Sequence, residues 1–129
     1  MSEPPPDAPI AVAMLDPDAL LRLRELDPSG TSRLLERVVN AFHGSSARLL
    51  LQLAAARDGP DLAVVRHVAH TLKSSSASVG AVKLSGLCAE MEAMAREGRS
   101  DGMDQAIAAL RSEVSAVLEA LKRLLDSPP

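Results

Sequence analysis

The reactive chemistry of this chain gathers in one stretch, Arg66-His-Val-Ala-His-Thr-Leu-Lys-Ser-Ser-Ser-Ala-Ser-Val-Gly80. His67 and His70 bring imidazoles, and Lys73 brings a fixed positive charge. A neutral imidazole is a good nucleophile at neutral pH. From Leu62 to Ala89 the chain has no Asp or Glu, only Arg66, Lys73 and Lys83. A nucleophilic ring among small side chains, with only cations nearby, suits a site that carries a phosphoryl group. A neighbouring carboxylate would repel such a group, so the missing acids form part of this expectation.

Plainer readings stand beside it. An exposed helical histidine is ordinarily just a surface residue, and Lys73 an ordinary solvated lysine. His67 and His70, spaced i and i+3, could hold a metal. However, i,i+4 is the commoner helical pair, no third ligand is evident, and Cys88 falls on an apolar stripe. No metal site is expected. Ser74, Ser75 and Ser76 would allow close helix packing. There is no Gly-rich phosphate loop, no nucleophile elbow and no paired-carboxylate site.

The surrounding sequence predicts helices to position these residues. Asp16-Pro17 reads as an N-cap and first helical position, opening a short helix from Asp18 to about Glu25. Asp27-Pro-Ser-Gly30 breaks the chain. A second helix, about Thr31 to Arg57, carries Leu34, Leu35, Val38, Val39, Phe42, Leu49 and Leu53 at helical spacing. Asp58-Gly-Pro60 separates it from a third, starting near Asp61, with a seam of Leu62, Val65, Ala69, Leu72, Ser76 and Val79. Gly80 is a natural stop. A fourth helix spans about Ala81 to Arg96, with Leu84, Leu87, Cys88, Met91, Met94 and Ala95 on one side. After Glu97-Gly-Arg-Ser-Asp-Gly102, the fifth presents Met103, Ile107, Leu110, Val114, Val117, Leu118, Leu121 and Leu125. At about 100° per residue, His70 lies roughly 130° from the centre of the third helix's seam, exposed but flanking the bundle. His67 and Ser74 fall near the far pole.

The expected architecture is all-α: an antiparallel up-down four-helix bundle with a short additional N-terminal helix across one end. Residues 1–13 form a Pro-rich arm or linker, 14–126 the bundle and 127–129 a short tail. Composition agrees. The hydrophobic share is 47%, Leu and Ala dominate, and Phe42 is the sole aromatic residue, so helix formers outweigh strand formers. A net charge of −3 speaks against general nucleic-acid binding. No apolar run approaches the roughly 20 residues of a membrane helix, and the N-terminal residues lack signal-peptide character. A cytoplasmic monomer is expected, with Cys88 as a small buried hydrophobe.

His70-Thr-Leu-Lys73-Ser-Ser-Ser-Ala-Ser-Val-Gly80-Ala81, followed by Leu84 and Leu87-Cys-Ala-Glu-Met-Glu92, closely resembles the signature of histidine-containing phosphotransfer (HPt) domains of bacterial two-component phosphorelays. The resemblance implies that His70 is the phosphoacceptor, taking the group from a receiver-domain phospho-aspartate and passing it to another receiver's aspartate. It implies that Lys73 lies near the phosphoryl group and compensates its charge. Gly80 matches the glycine closing the motif, and Ser74 departs from the glycine often found after the lysine. Arg66, His67, Ser74, Ala77 and Gly80 are the expected partner or phosphate environment, with Leu20 and Leu21 as further docking residues. The implied partners are receiver domains of response regulators or a hybrid sensor histidine kinase. No cofactor is expected on this chain, Mg²⁺ belonging to the receiver. The protein would be a phosphotransfer intermediate, not a self-sufficient enzyme. A free-standing carrier is slightly favoured over a terminal kinase domain, and a helical adaptor that docks without accepting phosphate is the competing reading.

Overall fold

A computed structural model describes residues 15–31, 33–57 and 61–126, with the side chains of 56 and 57 outside the description. The expected arm (1–13), the Asp58-Gly-Pro60 break and the tail (127–129) lie outside the described residues. Five helices follow one another: α1 Pro17–Leu26, α2 Leu34–Arg57, α3 Leu62–Ser78, α4 Val82–Arg96 and α5 Met103–Asp126. Among the described residues there is no strand. The helices α2 to α5 pack as a ring, each against its neighbours in sequence and α5 back against α2, with the α3–α4 pair in closest contact.

Local chemistry sets the ends. Asp16 caps α1 by accepting the Asp18 N–H, with Pro17 in the first turn. Asp61 caps α3 through the Ala63 and Val64 N–H groups. The second helix starts at Leu34, three residues later than the sequence suggests. Gly30 and Arg33 both adopt positive φ, which interrupts helical geometry, and Asp27 reaches across the loop to accept the Leu34 N–H at 3.1 Å.

The seams fill one core. Val65, Val68, Ala69 and Leu72 of α3 are buried with Leu84, Cys88 and Met91 of α4, Ile107, Leu110, Val114, Val117 and Leu121 of α5, and Val39, Phe42, Leu49 and Leu53 of α2. Leu125 departs from its expected seam: it is exposed, while Leu124 packs against the core. Ser76 is fully buried, and its hydroxyl donates to the Leu72 carbonyl at 2.6 Å. That bond satisfies the polar group that interrupts the apolar seam.

At the α3–α4 turn, Gly80 has φ +78°. Its N–H donates to the Ala77 carbonyl and that of Ala81 to the Ser76 carbonyl, the paired bonds of a Schellman C-cap. The Gly80 carbonyl accepts the Asp16 N–H at 2.6 Å, so α1 begins on this turn. From there α1 runs toward the end of the bundle where Leu34 and Leu35 of α2 meet Leu124 and Leu125 of α5 beside its Leu23. It lies across that end, as the sequence reading expects.

Candidate functional site

Because α3 continues unbroken from Leu62 to Ser78, the helical repeat sets Arg66, His70, Ser74 and Ala77 along one exposed strip. Lys73 is half-buried beside it, and His67 is exposed one turn before His70. Gly80 stands apart: it is buried beneath α1, ten residues beyond His70 and thus roughly 15 Å along the helix direction.

The acid-free setting expected from the sequence does not hold in space. The α3–α4 hairpin folds Glu92 back onto the strip, 22 residues from His70. Glu92 is only 5% exposed. Its Oε2 lies 2.8 Å from His70 Nδ1, and its Oε1 accepts a hydrogen bond from Lys73 Nζ at 2.6 Å. Arg96, one turn further along α4, brings a guanidinium nitrogen to 3.8 Å from Oε2. A single buried carboxylate thus gathers three basic side chains. Lys73 first, then His70, hold its pKa below the ordinary carboxylate range by hydrogen bonding, against the opposing effect of burial.

This arrangement orders the imidazole. An ionised carboxylate only accepts hydrogen bonds, so His70 Nδ1 carries a proton and donates it to Glu92. In the neutral ring, Nε2 then holds the lone pair. The His70 side chain is 63% exposed. With Nδ1 turned toward the buried acid, Nε2 occupies the outer edge of the ring.

The small residues after Lys73 have distinct roles. Ser75 and Ser78 donate to the carbonyls four residues back, as Ser76 does. The Lys73 carbonyl accepts a bond from Ser85 of α4 at 3.3 Å, which ties the two helices beside the site. Cys88 is fully buried one turn before Glu92, and burial pushes its thiol up to about 12. It is a core residue. Among the described residues no His, Cys, Asp and Glu group has a metal-binding arrangement, and no helix is long and apolar enough to cross a membrane.

Fold and site together define a helical-bundle carrier that presents one ordered, exposed histidine. The Hpt domain family matches residues 37–120, most of the chain, and the protein belongs to that family. It is a phosphocarrier of two-component phosphorelays. The structure is similar to that of histidine-containing phosphotransfer protein B from Pseudomonas aeruginosa PAO1, with 30% identity over 85% of this chain and 92% of that one and a TM-score of 0.78. It also resembles the phosphotransfer protein ZmHP2 from maize, with 29% identity, coverage of 92% and 94% and a TM-score of 0.76. A third, MtHPt2 from Medicago truncatula, gives 25% identity, coverage of 92% and 82% and a TM-score of 0.79. No curated protein matches the sequence.

Proposed function

We propose that His70 is the phosphorylated residue, and that it moves a phosphoryl group between the aspartates of two receiver domains. The observation that carries this reading is the Nδ1–Glu92 contact at 2.8 Å on an otherwise exposed ring, which leaves Nε2 as the available nucleophile. In the forward step the Nε2 lone pair attacks phosphorus. The P–O bond to the donor aspartate breaks, and its electron pair leaves with the carboxylate. Nδ1 keeps its proton, so the product is a phospho-imidazolium whose positive charge faces Glu92. In the second step the acceptor aspartate attacks phosphorus, the P–N bond breaks and its pair returns to Nε2. No proton is gained or lost by the ring over the cycle.

Phosphoryl transfer depends on in-line positioning and charge stabilisation. The chain supplies the oriented ring and nearby cations. The receiver supplies the aspartate and the acidic pocket in which Mg²⁺ belongs. The protein is therefore an intermediate that depends on its partners for turnover, with Ser74 and Ala77 small enough to admit a receiver close to His70. Leu21, 54% exposed on α1, extends the apolar surface available for docking. The test is transfer from a radiolabelled phospho-receiver. The parent protein should take up an acid-labile, base-stable label, and His70→Gln should take up none while keeping its helical circular dichroism. Undiminished labelling of that variant refutes the assignment, and receiver binding without labelling of the parent supports the adaptor reading.

A further inference from the structure

We propose that the trough between α4 and α5, on the flank of α4 away from His70, is a second docking site for a partner protein, and that Glu113 at its floor takes an arginine side chain from that partner. Glu113 is buried, with its side chain 8% exposed, and its Oε2 has no hydrogen-bond partner among the described residues. Its Oε1 lies 3.7 Å from the Lys83 ammonium, beyond hydrogen-bond range, and the Lys83 side chain is 72% exposed. The lysine that faces the acid therefore stays in water, while the carboxylate sits beneath the surface. Buried polar atoms are ordinarily partnered, and an acid buried without full pairing does not stabilise a fold. The fold gives this carboxylate no use.

The helical repeat defines the walls around it. Lys83 and Glu113 meet across the two helices, so residues one turn from each share the trough. On α5 these are Ala109, exposed, and Ala116, half-buried. Their methyl groups let another chain approach α5 closely on either side of the acid. On α4 they are Leu87, half-buried against the core, and then Glu90, exposed. Glu92, which holds His70, is nine residues beyond Lys83 and so lies about 180° around α4 from it. A partner seated in the trough leaves His70 uncovered.

The chemistry selects the occupant. Glu113 and Glu90 against Lys83 make the trough net negative, so it attracts a cation. A planar guanidinium can donate to both oxygens of one carboxylate and is more weakly hydrated than an ammonium. It reaches Oε2 as well as Oε1, which the point charge of Lys83 does not. Lys83, solvated and held by no hydrogen bond to the acid, can move aside at little cost.

The probe is an alanine-rich helical peptide with one central arginine, and otherwise identical peptides carry lysine or citrulline there. Amide ¹H–¹⁵N spectra of the full chain are followed as each is added. The arginine peptide should shift the Lys83, Ala109, Glu113 and Ala116 amides saturably and leave those of His67 and His70 unmoved. The lysine peptide should bind more weakly and the citrulline peptide not at all. Glu113→Gln should weaken arginine-peptide binding about tenfold, the loss of a charge-assisted pair. Lys83→Ala should tighten it about twofold by removing the competing cation. No saturable shift with the arginine peptide overturns the proposal, as does equal binding by Glu113→Gln or by the citrulline peptide. Shifts of the same amides with protein concentration alone would assign the trough to a second copy of this chain and overturn it as well.

Discussion

Gly80→Ala separates two roles that the motif leaves merged: a glycine needed near the phosphate and a glycine needed by the fold. The structure supports the second. A Cβ at Gly80 would lie 2.9 Å from the Asp16 amide nitrogen, 3.0 Å from its carbonyl oxygen and 3.2 Å from the Ala19 Cβ. The first two are backbone atoms, which cannot swing aside as the tip of a side chain can. Left-handed backbone costs a non-glycine residue about 1–2 kcal/mol. The displaced first turn of α1 also weakens the Asp16–Gly80 hydrogen bond, worth about 1 kcal/mol net, and disturbs the burial of Leu15 and Ala19. Together these give a loss of about 3 kcal/mol, which lowers Tm by roughly 10 °C for a chain of this size. Gly98 is the internal control. It has φ +72° with nothing within 4 Å of an added Cβ, and it closes α4 with the same paired bonds to Ala95 and Met94. Gly98→Ala should therefore cost only the conformational part, about 1–2 kcal/mol. Urea unfolding followed by far-UV circular dichroism measures both variants. Phosphotransfer by Gly80→Ala, assayed well below its Tm, should be retained. Equal destabilisation by the two substitutions would refute the argument that α1 docks through this turn. Normal stability with abolished transfer would assign Gly80 to the phosphate site instead.

Replacing Glu92 with Gln should slow phosphoryl uptake and shift the His70 ring toward a mixture of tautomers, read by ¹⁵N chemical shifts. The same acid contributes to pH-dependent stability with a defined sign. Its folded pKa is depressed by Lys73 and His70, so its contribution is present above the ordinary carboxylate pKa and is lost as pH falls through the lower folded value. Acid unfolding of the parent should therefore be steeper in that range than that of Glu92→Gln, and identical acid limbs would contradict the depressed pKa. Cys88, with its thiol at about 12 and no exposure, should react with Ellman's reagent at pH 8 only as the bundle opens, so full reaction of the native protein within the mixing time would contradict its burial. Glu113 on α5 is buried, its Oε1 lies 3.7 Å from Lys83, and its Oε2 has no hydrogen-bond partner. Glu113→Leu should leave chemical stability unchanged or raise it by up to about 1 kcal/mol, and a large loss would show that the acid is better satisfied than its geometry indicates.

The difference between what the sequence made legible and what it hid follows from the range of each interaction. Helix identity is local. Asp16-Pro17, Asp61 and Gly80 act within one turn of themselves, and the seams through Val65, Leu72, Leu84 and Leu110 repeat at a period that only a helix can bury. Those features could be read directly, and with short connections they imply antiparallel neighbours. The start of α2 was misplaced because Arg33 carries a positive φ that its residue type does not announce. Its N-terminal partner, Asp27, lies seven residues upstream, outside the usual capping position.

The site shows the same division more sharply. His70, Ser74 and Ala77 share a strip, with Lys73 beside it, because all four share a helix, so their proximity is visible from spacing alone. Glu92 belongs to another helix, and a count of acids along the chain places it outside the very interval it enters in space. Antiparallel pairing supplies the missing relation: in a hairpin centred on Gly80–Ala81, residues on α3 face those at a similar distance beyond the turn on α4. His70 lies 10 residues before Gly80 and Glu92 lies 11 after Ala81, so the predicted hairpin already put them at one level. Periodicity alone could not show that the acid turns inward to meet the ring, because Glu92 adjoins Met91 on the apolar side and its burial is acceptable only with Lys73 and His70 as partners. The signal that could have found it is therefore a compound one: an acid at the apolar boundary of α4, level with a cation and an imidazole at the boundary of α3. The carboxylate that a linear reading excludes as repulsive is the group that, by holding Nδ1 and Lys73, leaves Nε2 free to react.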